Sequence, residues 1–253
     1  MNNYNGIEQN TTFHPKYYFI FLTLFISFWI ISLISAVKIV HFWGITLTGG
    51  FIAFPFTMAI NTLILEVYGY KNARQAIWSG TILCITYLIF MNVVNIIPAS
   101  PDWGLNKEFQ VILLPQTRVI IASLIAFWSS GFLSNYLLVK LKCSGIDLAP
   151  RILISATISI FFDLFLFLSL AFWQTMPLAT LYKIFIFAFI KKLVCELLLL
   201  PFLWLVIDQI KYKEGYEILE QQTDCTPFSF DNVYNISSFS KIEKEKPLKI
   251  SAV

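Results

Sequence analysis

Apolar residues fill this chain in long unbroken runs, neither alternating nor confined to narrow stripes. Four runs carry no charge: residues 17–37 (21 residues, between Lys16 and Lys38), 39–65 (27, ending before Glu66), 75–101 (27, after Arg74) and 119–139 (21, between Arg118 and Lys140). Two more apolar stretches enclose charge. Residues 152–173 hold Asp163, and 184–207 hold Lys191, Lys192 and Glu196. About 20 apolar residues cross the ~30 Å hydrocarbon core of a bilayer, so the pattern predicts an all-α integral membrane protein with six transmembrane helices. The short alternating segments of a membrane barrel do not occur. The second run is too long for one plain helix, since 27 residues at 1.5 Å rise reach about 40 Å. It contains Gly49, Gly50 and Pro55, residues that break or kink helices. Either a discontinuous helix lines a cavity there, or a tilted helix leaves its first turns among the outer headgroups.

Composition agrees with the pattern. The chain is 57% hydrophobic and 13% charged, with mean hydropathy +0.71, whereas a soluble domain is about 25% charged. A soluble fold, a nucleic-acid binder and a disulfide-knit secreted domain all fit poorly. Charge is concentrated in the last 43 positions. The chain therefore divides into a polar N-terminal segment (1–16), a six-helix transmembrane domain (17–210) and a charged, flexible tail (211–253). The first apolar run exceeds a signal-peptide core, so it reads as an uncleaved helix. Lys71 and Arg74, then Lys140, Lys142 and Arg151, then Lys211 and Lys213 fall on one set of alternate loops. The other set holds only Lys38, Lys107, Arg118 and Lys183. By the positive-inside rule the richer side is cytoplasmic, which places both termini there.

Enzyme signatures are absent from the sequence: it contains no HExxH, GxSxG or Walker motif, and Asp163 has no second intramembrane aspartate to form a dyad. Cys84, Cys143, Cys195 and Cys225 show no CxxC spacing. These features predict no enzyme, no metal and no cofactor, and leave a transporter or a membrane-embedded binding subunit.

Ionisable groups at mid-span cost about 2.5–3.5 kcal/mol on insertion scales. Asp163 and Glu196 both fall near the middle of their spans, and such groups turn inward. Lys192 and Glu196 stand at i,i+4 and can form a structural ion pair; alternatively, both acids line a wet cavity. Asp163 has no opposite charge nearby in sequence, so it needs another helix or a ligand. Arg151, Ser155, Ser159 and Asp163 recur every fourth residue on one helix face, with Phe161, Phe165 and Leu168 opposite. That stripe is either interhelical glue or the wall of a substrate path. At the end of the second run, Glu66 and Arg74 can pair across a tight turn in which Gly69 supplies permissive backbone.

Phe54-Pro55-Phe56, Glu66-Val67-Tyr68-Gly69 and Ala73-Arg74 together resemble the signature of the YhhQ-like queuosine precursor transporters, a branch of the vitamin uptake transporter group. Asn135 ahead of Lys140 and Lys142, Arg151 with Ser155 and Asp163, Ala171-Phe172-Trp173, and Lys191 ten residues before Pro201 follow in matching order. One position departs: the family commonly has Asp where this chain has Thr62. The resemblance implies a multi-pass protein of the bacterial inner membrane that imports 7-cyano-7-deazaguanine, 7-aminomethyl-7-deazaguanine or queuine for tRNA queuosine salvage. It names the deazapurine and the lipid bilayer as partners, without nucleic acid, and allows a homodimer. The alternative is a substrate-capture subunit for a vitamin that needs a separate energising module. On either reading, the residues expected to bind or move substrate are Asp163, Lys191, Glu196, Glu66, Arg74, Asn135 and Ser159. Asp163 is the first choice for a carboxylate that accepts the two adjacent donors of a deazaguanine, Glu196 the second. Lys191 is expected to hold the substrate carbonyl or Asp163.

Overall fold

The computed structural model describes residues 15–36, 38–42, 45–113, 116–172, 174, 177–220, 224–229, 234 and 239–241. Most of the N-terminal segment, and Trp173, lie outside them. The described chain is helical almost throughout: α1 (Tyr18–Ser35), α2 (Phe54–Ile96), α3 (Asn106–Leu113), α4 (Gln116–Cys143), α5 (Leu148–Phe172) and α6 (Leu178–Glu214). Two small antiparallel pairs accompany them, β1 (Ile39–Phe42) with β2 (Ile45–Thr48), and β3 (Tyr216–Ile218) with β4 (Phe239–Lys241). Among the described residues, four helical segments are long and apolar enough to cross a membrane: Tyr18–Ser35, Gly49–Ile96, Thr117–Cys143 and Leu148–Phe172. The 37-residue α6 is longer than three of these but carries Lys191, Lys192 and Glu196 in its middle.

The second apolar run is divided as its glycines and proline suggested. Ile39–Phe42 and Ile45–Thr48 pair as β1 and β2, Gly49–Phe51 make one 3-10 turn, and α2 starts with Pro55 in its first turn. Proline is tolerated at that place because the N–H it lacks has no helical partner there. The helix then breaks at Gly69, whose φ of 79° and ψ of 173° belong to a region open almost only to glycine. The chain reverses at this point. Phe56 stacks on Phe28 of α1 with ring centroids 5.3 Å apart, and Gly80 lies flat against Trp29, the next residue of α1. In one straight helix, residues 56 and 80 would stand about 36 Å apart. Instead α2 folds into two arms that both run away from the Gly69 turn alongside α1.

The break also exposes backbone donors at the start of the second arm, where no preceding turn can accept them. The tail supplies the acceptors. Tyr70 N–H donates to Glu220 Oε1 (2.7 Å) and Lys71 N–H to the Tyr234 hydroxyl (2.9 Å). Several other elements meet at this end of the bundle. Tyr18 Oη donates to Asn72 O (3.1 Å), Tyr68 Oη to Glu214 (2.8 Å), and Lys142 Nζ to Ile218 O (3.0 Å). The start of α1, the Gly69 turn, the end of α4, the start of α5, the end of α6 and the described tail therefore share one end.

Polarity is distributed inside out. Phe19, Phe90, Leu198 and Phe202 are among many large apolar side chains on the outside, while Asn61, Glu66, Asn135, Arg151, Ser159, Asp163 and Glu196 are all buried. Around them packs an apolar core in which Trp29 and Phe127 lie 4.1 Å apart between ring centroids. In water the exposed belt would be costly; against lipid tails it is ordinary.

Candidate functional site

The predicted polar face of α5 exists. Arg151, Ser155, Ser159 and Asp163 are all buried, whereas Phe161 and Phe165 are exposed on the other side. Leu168 is buried rather than outward, because it follows Leu164 by four residues and returns to the packed face.

Asp163 is paired across helices. Lys192 Nζ contacts Asp163 Oδ2 directly, and Ser130 Oγ donates to Oδ1 at 3.4 Å. The same ammonium sits 3.9 Å from the centroid of the Phe54 ring, where the negative face of the ring adds attraction. Lys192 therefore does not pair with Glu196 along its own helix: two charges one turn apart on α6 face different neighbours, and the α5 carboxylate is within reach. Lys191, expected near Asp163, instead lies 5.6 Å over the ring of Phe51.

Glu66 and Arg74 likewise do not pair. Glu66, 1% exposed, is gripped by Arg151 through a two-pronged contact, Nε to Oε1 at 3.0 Å and Nη2 to Oε2 at 2.6 Å. This is the fork geometry that makes arginine–carboxylate pairs strong. Lys211 stands 3.9 Å from the same carboxylate and 2.6 Å from Glu217, so three helices and the tail meet in one ionic cluster. Arg74 is buried elsewhere, donating to Thr226 O at 3.0 Å beside the Tyr70 ring. Reversal of the chain at Gly69 explains this, since it carries Arg74 onto the second arm.

With both lysines engaged elsewhere, Glu196 is buried without a cation or hydrogen-bond partner among the described residues. It lines a cavity of about 20 Å³ whose wall also includes Thr62, Ser134, Ser155 and Ser159, with Met58, Ile152, Ala156 and Ile160 completing it. Four hydroxyl-bearing residues and one carboxyl thus line the same space, the Ser155 and Ser159 hydroxyls donating to Ile152 O and Ser155 O of their own helix. Next to two of those residues, Asn61 Nδ2 donates to Asn135 Oδ1 at 2.8 Å, leaving Asn61 Oδ1 and Asn135 Nδ2 buried and unmatched. Buried polar atoms without partners cost about 1–3 kcal/mol each, a cost tolerated more often at functional sites than in structural cores. A space of this size admits one water and no bicyclic base.

Of the seven expected residues, then, Glu196 and Ser159 face the cavity and Asn135 adjoins it. Asp163 and Glu66 are bound in ion pairs, and Lys191 and Arg74 lie outside the wall. Sequence reading missed Asn61 and Ser134 and treated Thr62 only as a departure. A lone amide inside a charge-free run was the available signal for Asn61; Ser134 had none beyond its place next to Asn135.

A family model described as "Putative vitamin uptake transporter" matches residues 48–206, a range that contains every residue of the cavity wall. A "Probable queuosine precursor transporter" of Bacillus subtilis (strain 168) is 30% identical over 176 residues, covering 67% of this chain and 75% of the relative. No solved structure matches the chain. The match spans most of the bundle and includes the Asp163–Lys192 and Glu66–Arg151 pairs, so the chain belongs to the vitamin uptake transporter family and is a multi-pass membrane transporter, not an enzyme.

Proposed function

We propose that the protein imports a 7-deazaguanine, namely 7-cyano-7-deazaguanine, 7-aminomethyl-7-deazaguanine or queuine, across the bacterial inner membrane for queuosine salvage. The observation that carries this reading is the unpaired, buried Glu196 facing a hydroxyl-lined cavity inside the region shared with the family. A deazaguanine presents its ring N1–H and exocyclic amine side by side, and one carboxylate accepts both. Enzymes that extract a base from nucleic acid read its edge in a comparable way. Glu196 takes that part, displacing Asp163 from first choice because Asp163 is already neutralised by Lys192. Ser159 Oγ and the free amide atoms of Asn61 and Asn135 supply further polar contacts once the cavity widens. The Asp163–Lys192 and Glu66–Arg151 pairs hold α5 to α6 and to α2 respectively, and must loosen for a base to enter. Lys191 and Arg74 act outside the cavity wall, at the two ends of the path.

The chain crosses the membrane six times on this reading, with the two arms of α2 counted separately and α6 as the last span. Both termini are cytoplasmic. Support comes from the gathering of Lys71, Lys140, Lys142, Arg151, Lys211 and Lys213 toward the end that also holds the start of α1 and the tail. The relative's name supports the substrate class. The test uses cells that neither make queuosine precursor nor possess their own carrier. Supplied with a trace of each deazaguanine, cells expressing this chain recover queuosine in tRNA, and Glu196→Gln cells do not. Failure with all three compounds overturns the substrate.

A further inference from the structure

The match to the family ends at residue 206, yet the turn at Gly69, inside the matched region, is closed by residues beyond it. Glu220 is 5% exposed although it follows the last helix in a charged tail. Its Oε1 accepts from Tyr70 N–H and, at 3.2 Å, from the Tyr234 hydroxyl, which itself accepts from Lys71 N–H. A carboxylate at the first free N–H of the second α2 arm is favoured both by the donors and by the helix dipole. The fit is close: a Cβ at Gly69 would lie 2.3 Å from the Tyr234 hydroxyl oxygen and 2.6 Å from Glu220 Oε1. Beyond Glu220 the attachment continues along the same arm. Tyr70 Oη donates to Cys225 O (2.7 Å), Arg74 to Thr226 O (3.0 Å), and Trp78 Nε1 to Pro227 O (2.9 Å). Phe228 packs on Trp78 and Trp128, with ring centroids 6.1 and 5.8 Å apart. On the other side Glu217 joins Lys211 and Lys142, and through Lys211 the Glu66–Arg151 pair.

We propose that this chain's own tail, through Glu217, Glu220, Cys225 to Phe228 and Tyr234, is a latch across the basic end of the bundle, and that its release opens that end toward the cavity. The docking face is made by α2, α4 and α6, and its occupant is this segment. A tail joining Glu217 to the cation beside Glu66, and Glu220 to the α2 turn, ties together the helices that must separate for a solute to pass. The gating half of the proposal rests on the transport reading; the docking half does not.

Cys225 reports on docking without any substrate. Burial and the nearby Glu220 push its thiol up to about 11, so release both exposes it and makes it more reactive. The test protein keeps Cys225 and has serine at Cys84, Cys143 and Cys195. It is reconstituted into nanodiscs and alkylated with a charged maleimide. Glu220→Ala, which removes the acceptor of two hydrogen bonds, speeds labelling of Cys225 by at least about tenfold, the lower bound for one lost hydrogen bond to a charged group. Tyr234→Phe speeds it by a smaller factor and covers the case in which Glu220→Ala does not accumulate. Unchanged rates in Tyr234→Phe, and in Glu220→Ala where it folds, overturn docking. In a second protein, with Cys225 also replaced by serine, one cysteine is placed at Ser155. Its labelling rises when the tail variants are introduced. If Cys225 is freed while Ser155→Cys stays protected, the latch does not gate the cavity and the proposal falls, whatever the fate of the deazaguanine assignment.

Discussion

Breaking the Glu66–Arg151 pair is the sharpest perturbation the structure offers. Both partners are buried, the contact is two-pronged, and 85 residues of chain separate them. Removing one partner of such a pair costs about 3–5 kcal/mol, because the other charge is stranded away from water. The two single replacements should not cost the same. Arg151→Met leaves Glu66 with Lys211 only 3.9 Å away, so its cost falls at the lower end, about 3 kcal/mol. Glu66→Leu strands Arg151 and weakens the hold on Lys211 together, and its cost falls near 5 kcal/mol. At about 2–4 °C per kcal/mol for a chain of this size, the melting temperature drops by about 6–12 °C and 10–20 °C respectively. The double variant removes both charges and leaves Lys211 with Glu217, so it recovers most of the loss; apolar replacement of a buried pair is often close to neutral. The assay is thermal unfolding of purified protein in one detergent at one scan rate, since unfolding of such proteins is commonly irreversible. If the double variant loses as much as the two singles added together, the groups are not coupled and Glu66 and Arg151 do not form the buried pair described.

Three other outcomes follow from the same geometry. Lys192→Met strands Asp163 and lowers stability by about 3–5 kcal/mol, whereas Lys191→Met, which loses only its place over Phe51, costs about 1 kcal/mol or less; equal losses in unfolding would contradict the assignment of partners. Gly69→Ala is destabilised by about 1–3 kcal/mol from backbone strain alone and also speeds alkylation of Cys225, since the new methyl displaces Tyr234 and Glu220; a variant as stable as the parent would show that the turn is not as described. Burial would raise the Glu217 carboxyl, but Lys211 and Lys142 outweigh it and hold the group below its ordinary range. Its contribution is therefore present at neutral pH and is lost as pH falls through and below about 4.5, so melting temperatures taken from pH 7 to pH 4 fall less steeply for Glu217→Gln than for the parent.

What the sequence reveals here depends on the range of the interaction. Local rules worked in part: charge-free runs marked α1, α4 and the two arms of α2, although the second run also covers β1 and β2; Gly49, Gly50 and Pro55 marked a break, and fourfold spacing put Arg151, Ser155, Ser159 and Asp163 on one buried face. Choices of partner between helices were not legible. Lys192 has Glu196 at i,i+4 and still reaches Asp163, because helix packing, not sequence distance, decides which carboxylate is nearest. Glu66 bonds Arg151 and not Arg74 for the same reason, with the reversal at Gly69 deciding the matter. The docked tail was hidden by its composition. Charged and polar residues read as solvent-seeking, yet Glu220 and Tyr234 are matched to two backbone N–H groups that only the broken helix leaves free.

Transport by this chain alone, through the Glu196 cavity, is open to direct measurement. Purified protein in liposomes, with no other protein and no ATP, should take up labelled 7-cyano-7-deazaguanine or one of its two relatives in a saturable manner. Glu196→Gln should abolish that uptake while leaving the melting temperature near that of the parent. Uptake that appears only after an ATP-driven partner is added would instead identify a capture subunit, and uptake untouched by Glu196→Gln would remove the cavity from the path.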